Sequence, residues 1–140
     1  MKKLLALAIL SLIAACTPQE LPVAAIQTID IGNISLIQGT LSYLTREAIP
    51  TPYIVVIELY RVEGESLQLI ATTDFLEEGQ VPVNYMLAFN ADLVNTATGS
   101  YLINARFLTI SGTTIYEAAE MVNPFSGNAG VNLRMQPTGY

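Results

Sequence analysis

Beyond residue 33 the chain is a succession of short runs in which apolar and polar side chains alternate with a period of two, punctuated by Gly, Pro, Asn and Asp. The first run, Ile34 to Leu44, puts Ile37, Gly39, Leu41 and Tyr43 on one face, and Pro50 and Pro52 lie in the loop that ends it, because proline cannot donate to a central ladder. The second, Tyr53 to Val62, sets Val55, Ile57 and Leu59 against Ile54, Val56, Glu58 and Tyr60, so it is largely apolar on both faces. Glu63-Gly64-Glu65 reads as a hairpin turn into a third strand, Ser66 to Thr72, with Leu67, Leu69 and Ala71 inward. The acidic stretch Asp74 to Gln80 reads as a connection, too short for a helix.

The fourth run has the clearest alternation, Val83, Tyr85, Leu87 and Phe89 against Asn84, Met86, Ala88 and Asn90. After a polar loop, Asn95 to Gly99, the residues Tyr101, Ile103, Ala105 and Phe107 point one way and Asn104 and Arg106 the other. Ser111-Gly112 leads into a sixth strand, about Thr113 to Ala119, and beyond the loop Asn123 to Gly130 a last strand turns Val131, Leu133 and Met135 inward. About seven strands, short turns and no long amphipathic helix predict an all-β domain over residues 33–136, a single antiparallel β-sandwich or flattened barrel, with 137–140 as a C-terminal tail. The inward residues, at roughly 1.5–3 kcal/mol for each large buried side chain, suffice for a core without disulfide, metal or cofactor.

The N-terminus follows a different pattern. Lys2 and Lys3 precede the apolar run Leu4 to Ile13, which is too short for an ordinary membrane span, and small residues lead to Cys16 before the chain turns polar at Thr17-Pro18-Gln19-Glu20. This is the layout of a secretory signal over residues 1–15, and Leu12-Ile13-Ala14-Ala15-Cys16 resembles a bacterial lipobox. The resemblance implies a mature chain that begins at Cys16 with diacylglycerol on its thiol and is fixed to a membrane by that lipid. Residues 16–32, with Pro18 and Pro22, read as a lipidated start and flexible tether. About sixteen residues span roughly 20–25 Å as a coil and about 55 Å fully extended.

Charge and composition then remove most enzyme classes. Of 140 residues, 6 are basic and 12 acidic; without residues 1–15 four arginines face the same twelve acids, a formal charge of −8. A surface that acidic argues against nucleic acid and against electrostatic attachment to anionic lipid. Histidine is absent, which removes Ser-His-Asp and Cys-His machinery and histidine zinc sites. Beyond Lys3 there is no lysine for a Ser-Lys dyad, a Schiff base or a P-loop, and the one cysteine is committed to lipid. Carboxylate chemistry is what remains, but Glu63, Glu65, Glu77 and Glu78 sit in polar, turn-like stretches where solvated acids are expected. The chain reads as a non-enzyme with no metal site and no catalytic residues.

One order of residues is familiar. Gly39-Thr40-Leu41-Ser42-Tyr43-Leu44-Thr45-Arg46, then Ile49-Pro50, then Val55, Ile57 and Leu59, resembles the start of the YbaY-type lipoprotein domain, a family grouped with the YscW lipoprotein chaperones of type III secretion. Pro82 before a strand ending in Phe89-Asn90, Tyr101 with Ala105, and Gly112 before Ile115-Tyr116 continue the likeness, which covers about residues 34–135. It implies a small all-β lipoprotein facing the periplasm from the outer membrane of a two-membrane cell. Thr17, where an aspartate would signal inner-membrane retention, agrees with that sorting. Some relatives are pilotins that escort a secretin subunit to the outer membrane, which makes an envelope protein the expected partner.

Outward apolar residues supply the candidate contact surface. Ile54, Val56 and Tyr60 of the second strand and Leu102, Leu108 and Ile110 of the fifth stand where a simple sandwich is polar. They form a patch for a partner segment unless the tether or the Asp74–Gln80 connection covers them or the outer face curls into a barrel. The leading expectation is a membrane-anchored binding or chaperone module in envelope assembly. The alternative is a carrier of a small apolar ligand, which needs a cavity among Leu41, Ile57, Leu87 and Phe107.

Overall fold

The computed structural model describes residues 32–44, 47–95, 97–125 and 130–139, in which eight strands form two sheets. Strands β1 (Ile34–Ser42), β4 (Val83–Asn90) and β7 (Leu133–Arg134) make a three-stranded sheet in the order β4-β1-β7. Strands β2 (Tyr53–Glu63), β3 (Ser66–Glu77), β5 (Ser100–Leu108), β6 (Thr114–Val122) and β8 (Gln136–Pro137) make a five-stranded sheet in the order β3-β2-β5-β6-β8. The pairings are antiparallel except β1 with β7, and the result is a two-layered sandwich rather than a closed barrel. Among the described residues no helix is long and apolar enough to cross a membrane.

The core sits between the layers and is built from the predicted alternation. Val55, Ile57 and Leu59 of β2, Ile103, Ala105 and Phe107 of β5, Leu41 of β1 and Leu87 of β4 are all 0% exposed. A strand presents alternate residues to one face, so each run needs only its odd or even members to be apolar. Two of the buried tyrosines are seated by backbone partners: the Tyr85 hydroxyl donates to the Val131 carbonyl at 2.8 Å, and the Tyr101 hydroxyl accepts from the Asn95 amide at 2.6 Å.

Strand β3 departs from the prediction in two ways. It is twelve residues long and runs to Glu77, so Asp74–Glu77 continue the ladder instead of forming a connection. Leu67 and Leu69 point outward, 53% and 50% exposed, while Ala71 points toward the core. The cause is a β-bulge: Leu59 pairs with Ala71 and Tyr60 with Leu69, leaving Ile70 as an extra residue that reverses the parity of everything before it.

The last strand also differs. Leu133–Arg134 pair in parallel with β1, Met135 is buried, and Gln136–Pro137 then pair with β6 in the other sheet. Thr138 extends the attachment, its amide donating to the Ile115 carbonyl at 3.1 Å and its hydroxyl to the Thr114 carbonyl at 2.8 Å. The segment that precedes β7 passes directly over β1, where the Val131 amide donates to the Gln38 carbonyl at 2.9 Å. Gly39 makes this approach feasible, because a Cβ there collides with the Val131 carbonyl.

Candidate partner-binding face

The outward side of the five-stranded sheet is best described as rungs across β3, β2, β5 and β6. Tyr60 is flanked by Leu69 and Leu102, and Leu102 by Met121, with Leu67 beside Val62 on the next rung. At the other end Ile54 lies between Leu76 and Leu108. Ile54 and Tyr60 are six positions apart along β2, about 20 Å at the rise of an antiparallel strand. Two apolar clusters therefore stand at opposite ends of one face.

Between them runs a polar band. Val56 pairs with Asp74 and Arg106, Arg106 with Glu117, and Glu58 with Thr72 and Asn104. The Arg106 guanidinium donates to Glu58 at 2.9 Å, and the Asn104 amide donates to the other Glu58 oxygen at 3.3 Å. These contacts hold Glu58, whose side chain is only 13% exposed, in place on the sheet. Arg106 Nε is buried without a partner. The band carries three carboxylates, Glu58, Asp74 and Glu117, against one guanidinium, so it is acidic. Burial, together with the hydrogen bond to Glu58 and that residue's charge, pushes the Tyr60 phenol above its ordinary value, with Arg106 acting in opposition.

Of the residues singled out from the sequence, Ile54 and Leu108 are neighbours, as are Tyr60 and Leu102, and all four are half-buried. Val56 shares the face but stands within the polar band. Ile110 lies beyond β5 in the turn closed by Thr109 and Thr113, 59% exposed and off the sheet. Cys16 lies outside the described residues. Sequence reasoning missed Leu67, Leu69, Leu76 and Met121 as members of the face, each at least 50% exposed. Met121 was legible, because the outward alternation of β6 continues two residues past Ala119; Leu67 and Leu69 were not, because nothing in the sequence marks the bulge at Ile70. The positions considered for a ligand cavity, Leu41, Ile57, Leu87 and Phe107, are packed together in one core cluster.

A second feature lies at the flank of the sandwich. Strand β8 covers β6 only at Tyr116 and Glu117, and beyond it an open groove of about 510 Å³ is lined by Glu120, Met121, Val122, Asn123 and Gly130–Asn132. Met121 joins this groove to the apolar cluster around Tyr60.

Residues 33–136 match the model of the family described as type III secretion system lipoprotein chaperone (YscW). Among solved structures, an alternative pilotin from the type II secretion system of Vibrio cholerae is similar, with a TM-score of 0.66 and 22% identity over 77% of this chain and 100% of that one. Murine CRIg aligns at a TM-score of 0.32 and 11% identity, over 74% of this chain and 97% of that one. No curated protein matches.

Proposed function

This chain belongs to the type III secretion system lipoprotein chaperone (YscW) family, and on that premise we propose that it is a lipid-anchored, non-enzymatic binding module of the cell envelope. Its acyl anchor is at Cys16, and it faces the periplasm from the outer membrane where the cell has two membranes. Within the family, the order of motifs from Gly39 to Tyr116 favours the YbaY-type branch. Its partner is an envelope protein, with a secretin subunit the leading class. The fold it shares with the Vibrio cholerae pilotin supports this reading.

The observation that carries the proposal is the outward face of the five-stranded sheet. Leu67, Leu69, Leu76 and Met121 each leave half or more of their surface open, beside half-buried Ile54, Tyr60, Leu102 and Leu108. Clusters of exposed apolar residues rimmed by polar ones, as here, mark interaction sites. The acidic band between the clusters sets register and favours a partner segment with a basic residue between two apolar anchors.

Crosslinking and pull-down from native membranes tests this, comparing the intact protein with Cys16→Ser and with Leu69→Glu/Leu102→Glu. The expected result is that the intact form is membrane-bound and captures an oligomeric envelope protein. Cys16→Ser loses the membrane, while Leu69→Glu/Leu102→Glu keeps the membrane and loses the captured protein. Capture undiminished by Leu69→Glu/Leu102→Glu removes this face from the proposal.

A further inference from the structure

The outward face of the three-stranded sheet has a different character. The nine residues of β1 and the eight of β4 include no acid or base except the inward tyrosine Tyr85. Ile34, Leu36 and Met86 are 50%, 54% and 57% exposed there, with Ala88 paired to Leu36 and the uncharged Gln38 and Asn90 paired to Met86 and Ile34. In a chain of formal charge −6, a face without carboxylates needs a reason. The other sheet's outward side carries Glu58, Asp74 and Glu117.

The path of the chain supplies the second observation. The residues that follow Cys16 enter the described domain at Gly32, two positions before Ile34, the first residue of the central strand of this same sheet. Asp92 stands beside Gly32, at the end of the sheet.

We propose that the three-stranded sheet lies against the lipid bilayer, with Ile34, Leu36, Met86 and Ala88 entering the headgroup–acyl boundary. This rests on the reading of Cys16 as the anchor. A tether of about sixteen residues keeps the domain within roughly 20–55 Å of its own acyl chains, so some face meets the membrane repeatedly. Anionic headgroups repel the carboxylate-bearing face and do not repel this one. With the three-stranded sheet down, the acidic face stands about 10 Å further off, more than a Debye length of roughly 8 Å at physiological salt. Apolar side chains in the boundary region then hold the orientation. The consequence is directional: the partner-binding face of the five-stranded sheet points away from the membrane.

The chain has no tryptophan, so single reporters can be placed at will. Full-length lipidated Met86→Trp and Met121→Trp proteins, substituted at sites of 57% and 56% exposure, are reconstituted into mixed phosphatidylcholine and anionic phosphatidylglycerol vesicles with and without brominated acyl chains. Flotation with the vesicles reads the anchor, and quenching reads the face. The expected result is flotation of both proteins, with Met86→Trp emission reduced about twofold by brominated lipid, as for apolar side chains settled roughly 5–10 Å into the boundary, and Met121→Trp unchanged. Leu36→Trp should behave as Met86→Trp, which guards against a local effect of one substitution. Flotation with no quenching of Met86→Trp and Leu36→Trp, or with equal quenching of Met121→Trp, overturns the orientation and leaves the anchor standing. Failure to float overturns the anchor and the proposal that depends on it.

Discussion

Replacing Gly39 by alanine tests the way the two sheets are joined. The new methyl group is directed at the Val131 carbonyl, a backbone atom that cannot rotate away, so the segment preceding β7 must lift from β1. Four hydrogen bonds are held at this crossing. The Val131 amide donates to Gln38 at 2.9 Å, the Tyr85 hydroxyl donates to Val131 at 2.8 Å, and the Thr40 amide and hydroxyl donate to Asn132 at 3.1 and 2.8 Å. At roughly 0.5–1.5 kcal/mol each, with relaxation preserving some, the expected loss is about 2–4 kcal/mol. That is a large part of the roughly 5–15 kcal/mol that stabilises a domain. Urea unfolding of the Cys16→Ser protein, followed by far-UV circular dichroism, measures it as a fall in midpoint at constant slope. Gly64→Ala is the control. Gly64 opens the β2–β3 hairpin at φ +61 with nothing within 4 Å, so alanine there bears only the left-handed backbone cost of about 1–2 kcal/mol. A Gly39→Ala protein no less stable than Gly64→Ala would refute the crossing as a constraint on the fold.

Other outcomes follow from the same packing. Leu69→Thr should change stability by no more than about 0.5 kcal/mol because Leu69 faces outward, whereas Ile57→Ala should cost about 2–5 kcal/mol; urea midpoints separate the two. Arg106→Met leaves the largely buried Glu58 carboxylate without its cation and should cost about 1–3 kcal/mol, with Glu58→Met/Arg106→Met recovering much of the loss in a double-mutant cycle. Burial, then the charges of Glu77 and Tyr43, pushes the Tyr53 phenol up to about 12, and burial with Glu120 pushes Tyr85 up as well. In the folded chain these groups stay neutral above 10, where the unfolded chain ionises, so their contribution is whole below pH 10 and is lost as pH rises through the folded values. Tyrosinate absorbance in an alkaline titration should show these two tyrosines ionising well above the ordinary tyrosine range while the chain is folded, and Tyr53→Phe should remove one.

The core was legible because its signal is local. In β2, β4 and β5 the inward set follows from a period of two, and Val55, Ile57, Leu59, Val83, Leu87, Phe89, Ile103 and Phe107 are buried as the alternation requires. Half of the candidate face was legible for the same reason: Ile54, Tyr60, Leu102 and Leu108 are outward by the parity of their strands. The rest depends on partners distant in sequence. A bulge is a mismatch between two strands, so Ile70 carries no mark of its own, and Leu67 and Leu69 change faces only because β2 pairs as it does. Asp74 and Glu77 read as loop residues by composition, yet they complete a ladder whose length is set by β2.

By itself the sequence determined the fold class, the buried faces of β2, β4 and β5, the charge imbalance and the exclusion of histidine- and lysine-based chemistry, because composition and alternation are properties of single strands. Tertiary structure decided which strands share a sheet, that Val131 passes over Gly39, and that a polar band of Glu58, Asn104 and Arg106 divides the apolar patch in two. It also decided that the carboxylate-free residues of β1 and β4 lie side by side on one outward face. Each of these is a relation between backbones brought together by folding, and hydrogen-bond register between remote segments is what sets it.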